Sequence, residues 1–207
     1  MKIPFTLFSL FVIFALWTLY EIHKSKTKQQ KDEQKFWERE READNVRRKP
    51  VDNLPYISIT DEIIPNIDTY NDNLLSLINQ LSAMKELKIL NLSGKSNTDL
   101  KMEYGPANLP FLTECDNNFI KLCRITNALG KELADNNYIN DAISIYEFAI
   151  FNGSDVSSSY HELAKLYLSS GRKEDIKKLI ERAEGLDSLL KESIINKLND
   201  CYSSSHN

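Results

Sequence analysis

Two stretches of this sequence match each other at a spacing of 34 residues. The first reads LGKELADNNYINDAISIYEFAIF from Leu129, and the second reads LAKLYLSSGRKEDIKKLIERAEG from Leu163. Internal repeats of roughly 20–50 residues are typical of stacked supersecondary units, so this feature constrains the fold more than any other. The corresponding positions carry residues of similar size or backbone preference: Leu129 and Leu163, Gly130 and Ala164, Leu133 and Tyr167, Asn137 and Gly171, Tyr146 and Ile180, and Ala149 and Ala183.

The matched pairs each have a physical meaning. Small residues such as Gly130 and Ala164 allow two helices to cross closely, while large apolar residues fill the space between helices. Asn137 and Gly171 are residue types that enter the left-handed conformation after a helix, so both copies place a turn at the same point. Two helices joined by one turn in each copy predict helical hairpins, and therefore an all-α domain.

This pattern resembles the tetratricopeptide repeat family over about residues 123 to 188. The sequence departs from the family at Ser154 and Ser188, where a closing proline is usual, and at Ile176, where a small residue is usual. The resemblance implies a small domain of stacked helical hairpins that binds other proteins. The residues that carry it are Leu129, Gly130, Leu133, Ala142, Tyr146 and Ala149 in the first copy, and Tyr160, Leu163, Ala164, Tyr167, Gly171 and Ala183 in the second.

Stacked repeats generally need three or more copies to bury a continuous core, and two are legible here. We therefore expect an amphipathic helix over 71–90 to cap one end of the stack and a helix over 187–202 to cap the other. The prediction for the chain is an extended arm, amphipathic helix and loop over 51–115, repeats with their capping helix over 116–202, and a disordered tail over 203–207.

Residues 3–20, which read IPFTLFSLFVIFALWTLY, carry no charge. As a helix this run is roughly 27 Å long, close to the hydrocarbon thickness of a bilayer at about 30 Å. We therefore predict a transmembrane anchor over 1–22. A cleaved signal peptide is the alternative, but its cleavage site requires small residues, and none follow the apolar run before Lys24.

Positive charges follow the apolar run and predict the orientation of the chain: Lys24, Lys26, Lys28, Lys31, Lys35 and Arg39. Because the positive flank stays in the cytoplasm, we expect a single-pass protein of the cell membrane with a cytoplasmic C-terminal domain. Residues 23–50 are charged and rich in helix formers, which predicts a helical stalk or linker. The three cysteines are an odd number in a reducing compartment and are best interpreted as buried thiols.

The tetratricopeptide resemblance also implies a peptide-binding groove, formed by one face of the first helix in each repeat. The positions that match are Arg124, Asn127, Lys131, Ser158, His161 and Lys165. Four of these are basic or histidine, although residues 51–207 hold 15 basic against 23 acidic residues. That contrast predicts a partner with an acidic segment or a C-terminal carboxylate, bound by charge-assisted hydrogen bonds. The alternative is that these side chains are simply solvated at a helix surface.

The sequence contains no motif that predicts catalysis, a cofactor or a metal: no H-E-x-x-H, C-x-x-C, G-x-S-x-G or Gly-rich phosphate loop. The acidic balance of the domain disfavours nucleic acid as a ligand. We therefore predict a membrane-tethered scaffold or adaptor without catalytic, cofactor-binding or metal residues. The alternatives are an obligate structural subunit of a membrane-associated complex and, more remotely, an enzyme of unrecognised type.

Overall fold

A computed structural model of the chain describes residues 5–68 and 71–204. Two short 3-10 turns occur, at Met84–Glu86 and Pro106–Asn108, and no strand is present in this part of the chain. The prediction of an all-α protein is therefore confirmed. The helices are α1 (Phe5–Asp44), α2 (Asp72–Ala83), α3 (Asn97–Tyr104), α4 (Leu109–Asp135), α5 (Ile139–Phe151), α6 (Ser157–Ser169), α7 (Asp175–Glu184) and α8 (Lys191–Ser204).

The chain divides into two compact units. The stalk unit consists of residues 1–49 and 97–107, and the body consists of residues 50–96 and 108–207. Residues 1–4, 69–70 and 205–207 lie outside the described part, so the start of the predicted span and most of the predicted tail fall there. Among the residues that are described, no helix combines the length and the hydropathy that a membrane crossing requires.

The stalk unit is built from α1 and α3, which pack against each other through polar side chains. The Lys101 ammonium lies 2.9 Å from a Glu40 carboxylate oxygen and 2.8 Å from one of Asp44. Thr98 also donates a hydrogen bond to Glu40, and Arg39 pairs with Asp99. These contacts account for α3, a second helix in the region 51–115, where the sequence predicts an extended arm, one amphipathic helix and a loop.

The body contains two consecutive helical hairpins. The first is formed by α4 and α5, and the second by α6 and α7. The turns contain Asn137 with a φ of 64° and Gly171 with a φ of 72°, so the predicted left-handed turn residues are confirmed. Gly130 has no room for a side chain, because a Cβ there would lie 2.6 Å from the ring of Tyr146. The small residue is therefore required by the close approach of α4 and α5.

The outer helices cover both ends of these hairpins. Helix α2 packs on α4, and α8 packs on both α6 and α7 through the buried side chains of Ile194 and Leu198. Asn71 caps α2 by accepting hydrogen bonds from the backbone N–H groups of residues 73 and 74. The predicted capping helix over 71–90 is shorter than expected, because the chain leaves the helix at Met84 and continues extended through the buried Ile89 and Leu90.

Residues 51–68, which precede α2, have neither helix nor strand, and apolar side chains of this arm pack on the core. Ile59 is buried, and Ile57, Ile63 and Ile64 pack against the same cluster. The backbone N–H of Ile57 donates to the carbonyl of Ile89 over 2.9 Å, which holds the arm in place. Helix α4 is longer than the repeat pattern indicates, since it begins at Leu109 rather than near residue 116.

Candidate protein-binding surface

The six residues of the predicted groove lie on two neighbouring helices, with Arg124, Asn127 and Lys131 on α4 and Ser158, His161 and Lys165 on α6. We refer to these six residues as the α4–α6 face. Helices α4, α6 and α8 pack side by side in that order. Asn127 and His161 are half-buried, whereas the other four residues are exposed.

Hydrogen bonds join the two halves of this face. The side-chain oxygen of Asn127 accepts from the hydroxyl groups of Ser158 at 2.8 Å and Ser159 at 3.0 Å. Two predicted residues, Asn127 and Ser158, are therefore direct neighbours although 31 positions separate them. Because its oxygen already has two donors, Asn127 holds α4 and α6 together and is less free to contact a ligand.

The basic residues of the face differ in their surroundings. Arg124 and Lys131 form no ion pair within the described part of the chain, while Lys165 pairs with Glu162 at 2.8 Å. His161 lies beside α8, with its Nδ1 atom 3.6 Å from the sulfur of Cys201. The face thus offers two cations that a carboxylate can approach directly, and a third in an exposed pair that exchanges at little cost.

The three cysteines of the body differ in their exposure to solvent. Cys115 and Cys123 are buried in α4, whereas Cys201 is half-buried. Burial raises the pKa of the Cys115 and Cys123 thiols, because the charged thiolate is poorly solvated there. Two cysteines therefore match the predicted buried thiols, and Cys201 is the one that solvent reaches.

A polar cluster on α5, α6 and α7 was not predicted from the sequence. Glu147 accepts hydrogen bonds from the Tyr167 hydroxyl at 2.7 Å and from Arg172 at 3.0 Å. Arg172 also reaches Asp175 at 2.8 Å, and Lys178 bonds the other oxygen of Asp175 at 2.8 Å. The only signals in the sequence were the i,i+3 spacings of Arg172, Asp175 and Lys178.

The pKa values of two members of the cluster shift in opposite directions. Hydrogen bonds from Lys178 and Arg172 lower the pKa of Asp175 below its usual range. Burial, followed by the bond to Glu147, raises the pKa of Tyr167. The two acids and two bases of the cluster are therefore bonded to one another.

Comparisons with protein-family models, with curated proteins and with solved structures found no match to this chain.

Proposed function

We propose that the chain is a membrane-tethered protein–protein interaction scaffold whose body resembles tetratricopeptide repeats. The observation that carries this proposal is the row of α4, α6 and α8, on which Arg124 and Lys131 are exposed and form no ion pair with any residue that the structure describes. The resemblance assigns this same face to partner binding. A rigid row of helices with accessible cations suits recognition of an extended acidic segment.

The partner is another protein that presents an acidic or C-terminal carboxylate segment. Arg124 and Lys131 would donate charge-assisted hydrogen bonds to it, and Lys165 would exchange Glu162 for a partner carboxylate. The Ser158 hydroxyl already donates to Asn127, so from the partner it would accept a hydrogen bond. The rest of the body is acidic and would repel such a segment, so the basic α4–α6 face would also determine where the partner binds.

The proposed tether is the apolar segment 3–20, inserted in the cell membrane with the body in the cytoplasm. Burying one leucine or phenylalanine side chain is worth about 1.5–3 kcal/mol, so an uncovered apolar helix is costly in water. The lysines that follow the segment support this orientation. Between residues 8 and 22 of α1, the large apolar side chains that are more than half exposed are Phe8, Leu10, Phe11, Ile13, Phe14, Leu16, Trp17, Leu19, Tyr20 and Ile22.

The α4–α6 face is tested by site-directed photocrosslinking in intact cells. A photoreactive residue at Lys131 or Lys165 should capture a discrete partner, whereas the same residue at Asn140, exposed on α5, should not. The charge reversals Lys131→Glu and Lys165→Glu should abolish capture, and Lys177→Glu on α7 should leave it unchanged. This binding face would be rejected if the probe at Asn140 captured as much partner as the probes at Lys131 and Lys165. It would also be rejected if capture persisted in both charge-reversal variants.

Topology is tested with the accessible native thiol. A membrane-impermeant maleimide should label Cys201 only after cells are lysed, while a cysteine introduced by Lys2→Cys should be labelled in intact cells. Labelling of Cys201 from outside would contradict the proposed orientation. Sizing after detergent extraction then separates an adaptor, which should run mostly alone, from an obligate subunit, which should stay in a large complex.

A further inference from the structure

A groove of about 550 Å³, which the sequence did not predict, lies between α5 and α7. Phe148 and Phe151 on α5 and Leu179 on α7 form its apolar walls, and Leu163 of α6 contributes to its lining. Both α5 and α7 pack on α6, so the groove is the space left between two helices that share one support. We refer to it as the α5–α7 groove.

The apolar surface of this groove is open to solvent. Phe151 is 68% exposed, although phenylalanine is among the residues most often buried in folded proteins. The volume falls in the lower half of the about 300–1,000 Å³ range of ligand clefts, which suits one or two bulky side chains better than a folded element. An apolar pocket of this size with an exposed aromatic wall is typical of an anchor site.

Charges in the lining decide which partner chemistry fits. The polar cluster described above neutralises itself, since Glu147 and Asp175 are bonded to Arg172 and Lys178. Arg182 also lines the groove, but it forms no ion pair within residues 5–68 and 71–204. Its guanidinium lies 4.7 Å from the centre of the Phe151 ring. The groove therefore presents one uncompensated cation directly beside its exposed aromatic side chain.

We propose that the α5–α7 groove binds a segment of a partner protein in which a bulky apolar side chain is followed closely by a carboxylate. The apolar side chain enters between Phe148 and Leu179 and covers Phe151. The carboxylate accepts hydrogen bonds from Arg182, whose planar guanidinium suits two parallel bonds. This site is distinct from the α4–α6 face and does not depend on the function proposed for that face.

The probe is an array of ten-residue synthetic peptides, tested against the purified full chain in a non-ionic detergent. Each peptide carries one Leu, Phe or Trp, followed one to three positions later by Glu, in a Gly/Ser/Asn background. Matched peptides replace either the Glu by Gln or the apolar residue by Ser. Binding that requires both groups is expected, and affinity is then measured by fluorescence anisotropy on a labelled peptide.

Two variants probe the groove without disturbing the core. Arg182→Gln should weaken binding about 10-fold, as expected for one charge-assisted contact. Ser144 lines the groove from an exposed position, so Ser144→Trp should fill the groove and abolish binding. Lys177→Gln, an exposed charge change on α7 outside the lining, is the matched control and should retain full affinity.

The inference is overturned if no peptide binds better than its matched versions, or if Arg182→Gln and Ser144→Trp both keep the original affinity. Loss of binding in Lys131→Gln alone would also overturn it, because the peptides would then occupy the α4–α6 face. That last outcome would support the function proposed for the α4–α6 face, so the two hypotheses fail separately.

Discussion

Replacing Gly130 by alanine tests whether the close approach of α4 and α5 is rigid. An added Cβ would lie 2.6, 2.7 and 2.9 Å from three carbon atoms of the Tyr146 ring. Favourable carbon–carbon contacts lie at about 3.5–4.0 Å, so the ring or a helix must shift. Tyr146 is completely buried, which leaves the ring little room to move.

The expected magnitude follows from two opposing effects. Alanine is favoured over glycine in a helix interior by about 1 kcal/mol. Overpacking a core typically costs about 1–3 kcal/mol, and three simultaneous ring contacts place Gly130→Ala near the upper end. The variant should therefore lose about 2 kcal/mol of unfolding free energy, or about 4–8 °C in Tm for a unit of this size.

The assay is a urea titration of the full chain in detergent, followed by thiol labelling of Cys115 and Cys123. Both thiols are buried in the body, so their labelling reports opening of the body without a contribution from α1. Gly185→Ala is the matched control, because its Cβ would meet its nearest atom at an ordinary 3.4 Å. That control should be at least as stable as the original protein.

A double-mutant cycle isolates the contact between the two residues. Tyr146→Leu removes the ring, so the cost of Gly130→Ala should largely disappear in that background. The steric reasoning is refuted if Gly130→Ala is as stable as the original protein, or if its cost is the same with and without the Tyr146 ring.

Three further outcomes are expected in the same titration. Tyr146→Phe should be neutral or stabilising, because the Tyr146 hydroxyl is buried without a hydrogen-bond partner in the described structure; a loss above about 1 kcal/mol would contradict this. Asn137→Gly should keep full stability while Asn137→Ala loses about 1 kcal/mol, because the φ of 64° strains a residue with a Cβ and no local side-chain hydrogen bond; equal stability of the two variants would refute it. Burial raises the pKa of Tyr160 to about 12 and also raises the pKa values of Tyr146 and Tyr167. The unfolded chain releases these protons first, at about pH 10, so the contribution of these three tyrosines to stability should be constant below that pH and fall above it; tyrosinate absorbance should rise together with unfolding, and ionisation of these tyrosines in the folded protein would contradict the prediction.

Local and periodic features of the fold were predictable from the sequence. The turns at Asn137 and Gly171 depend on residue type alone, and the pairing of small and large residues depends on a fixed spacing. Helix α3 was not predictable in the same way, because Lys101 finds its partners Glu40 and Asp44 across 61 and 57 positions of the chain. A short polar helix of this kind is specified by packing rather than by its own pattern.

The two candidate binding surfaces also differ in how far the sequence could predict them. The residues of the α4–α6 face could be named from the repeat register, but the bonds of Asn127 to Ser158 and Ser159 could not. The α5–α7 groove was not predicted, because Phe148 and Phe151 look like ordinary core residues in an amphipathic pattern. Whether such residues are covered depends on the separation of two helices on a shared support, which hydrophobic periodicity does not encode.

The position of α3 has a mechanical consequence. In sequence α3 lies between two stretches of the body, yet it packs with α1, so the chain passes between the two units at 49–50, 96–97 and 107–108. A pull on the start of α1 therefore reaches the body along three covalent connections as long as α1 and α3 stay together. If all contacts between α1 and α3 break, a pull on α1 reaches the body through the single connection after Lys49. The contact between α1 and α3 therefore determines how many covalent connections transmit a pull on α1 to the body.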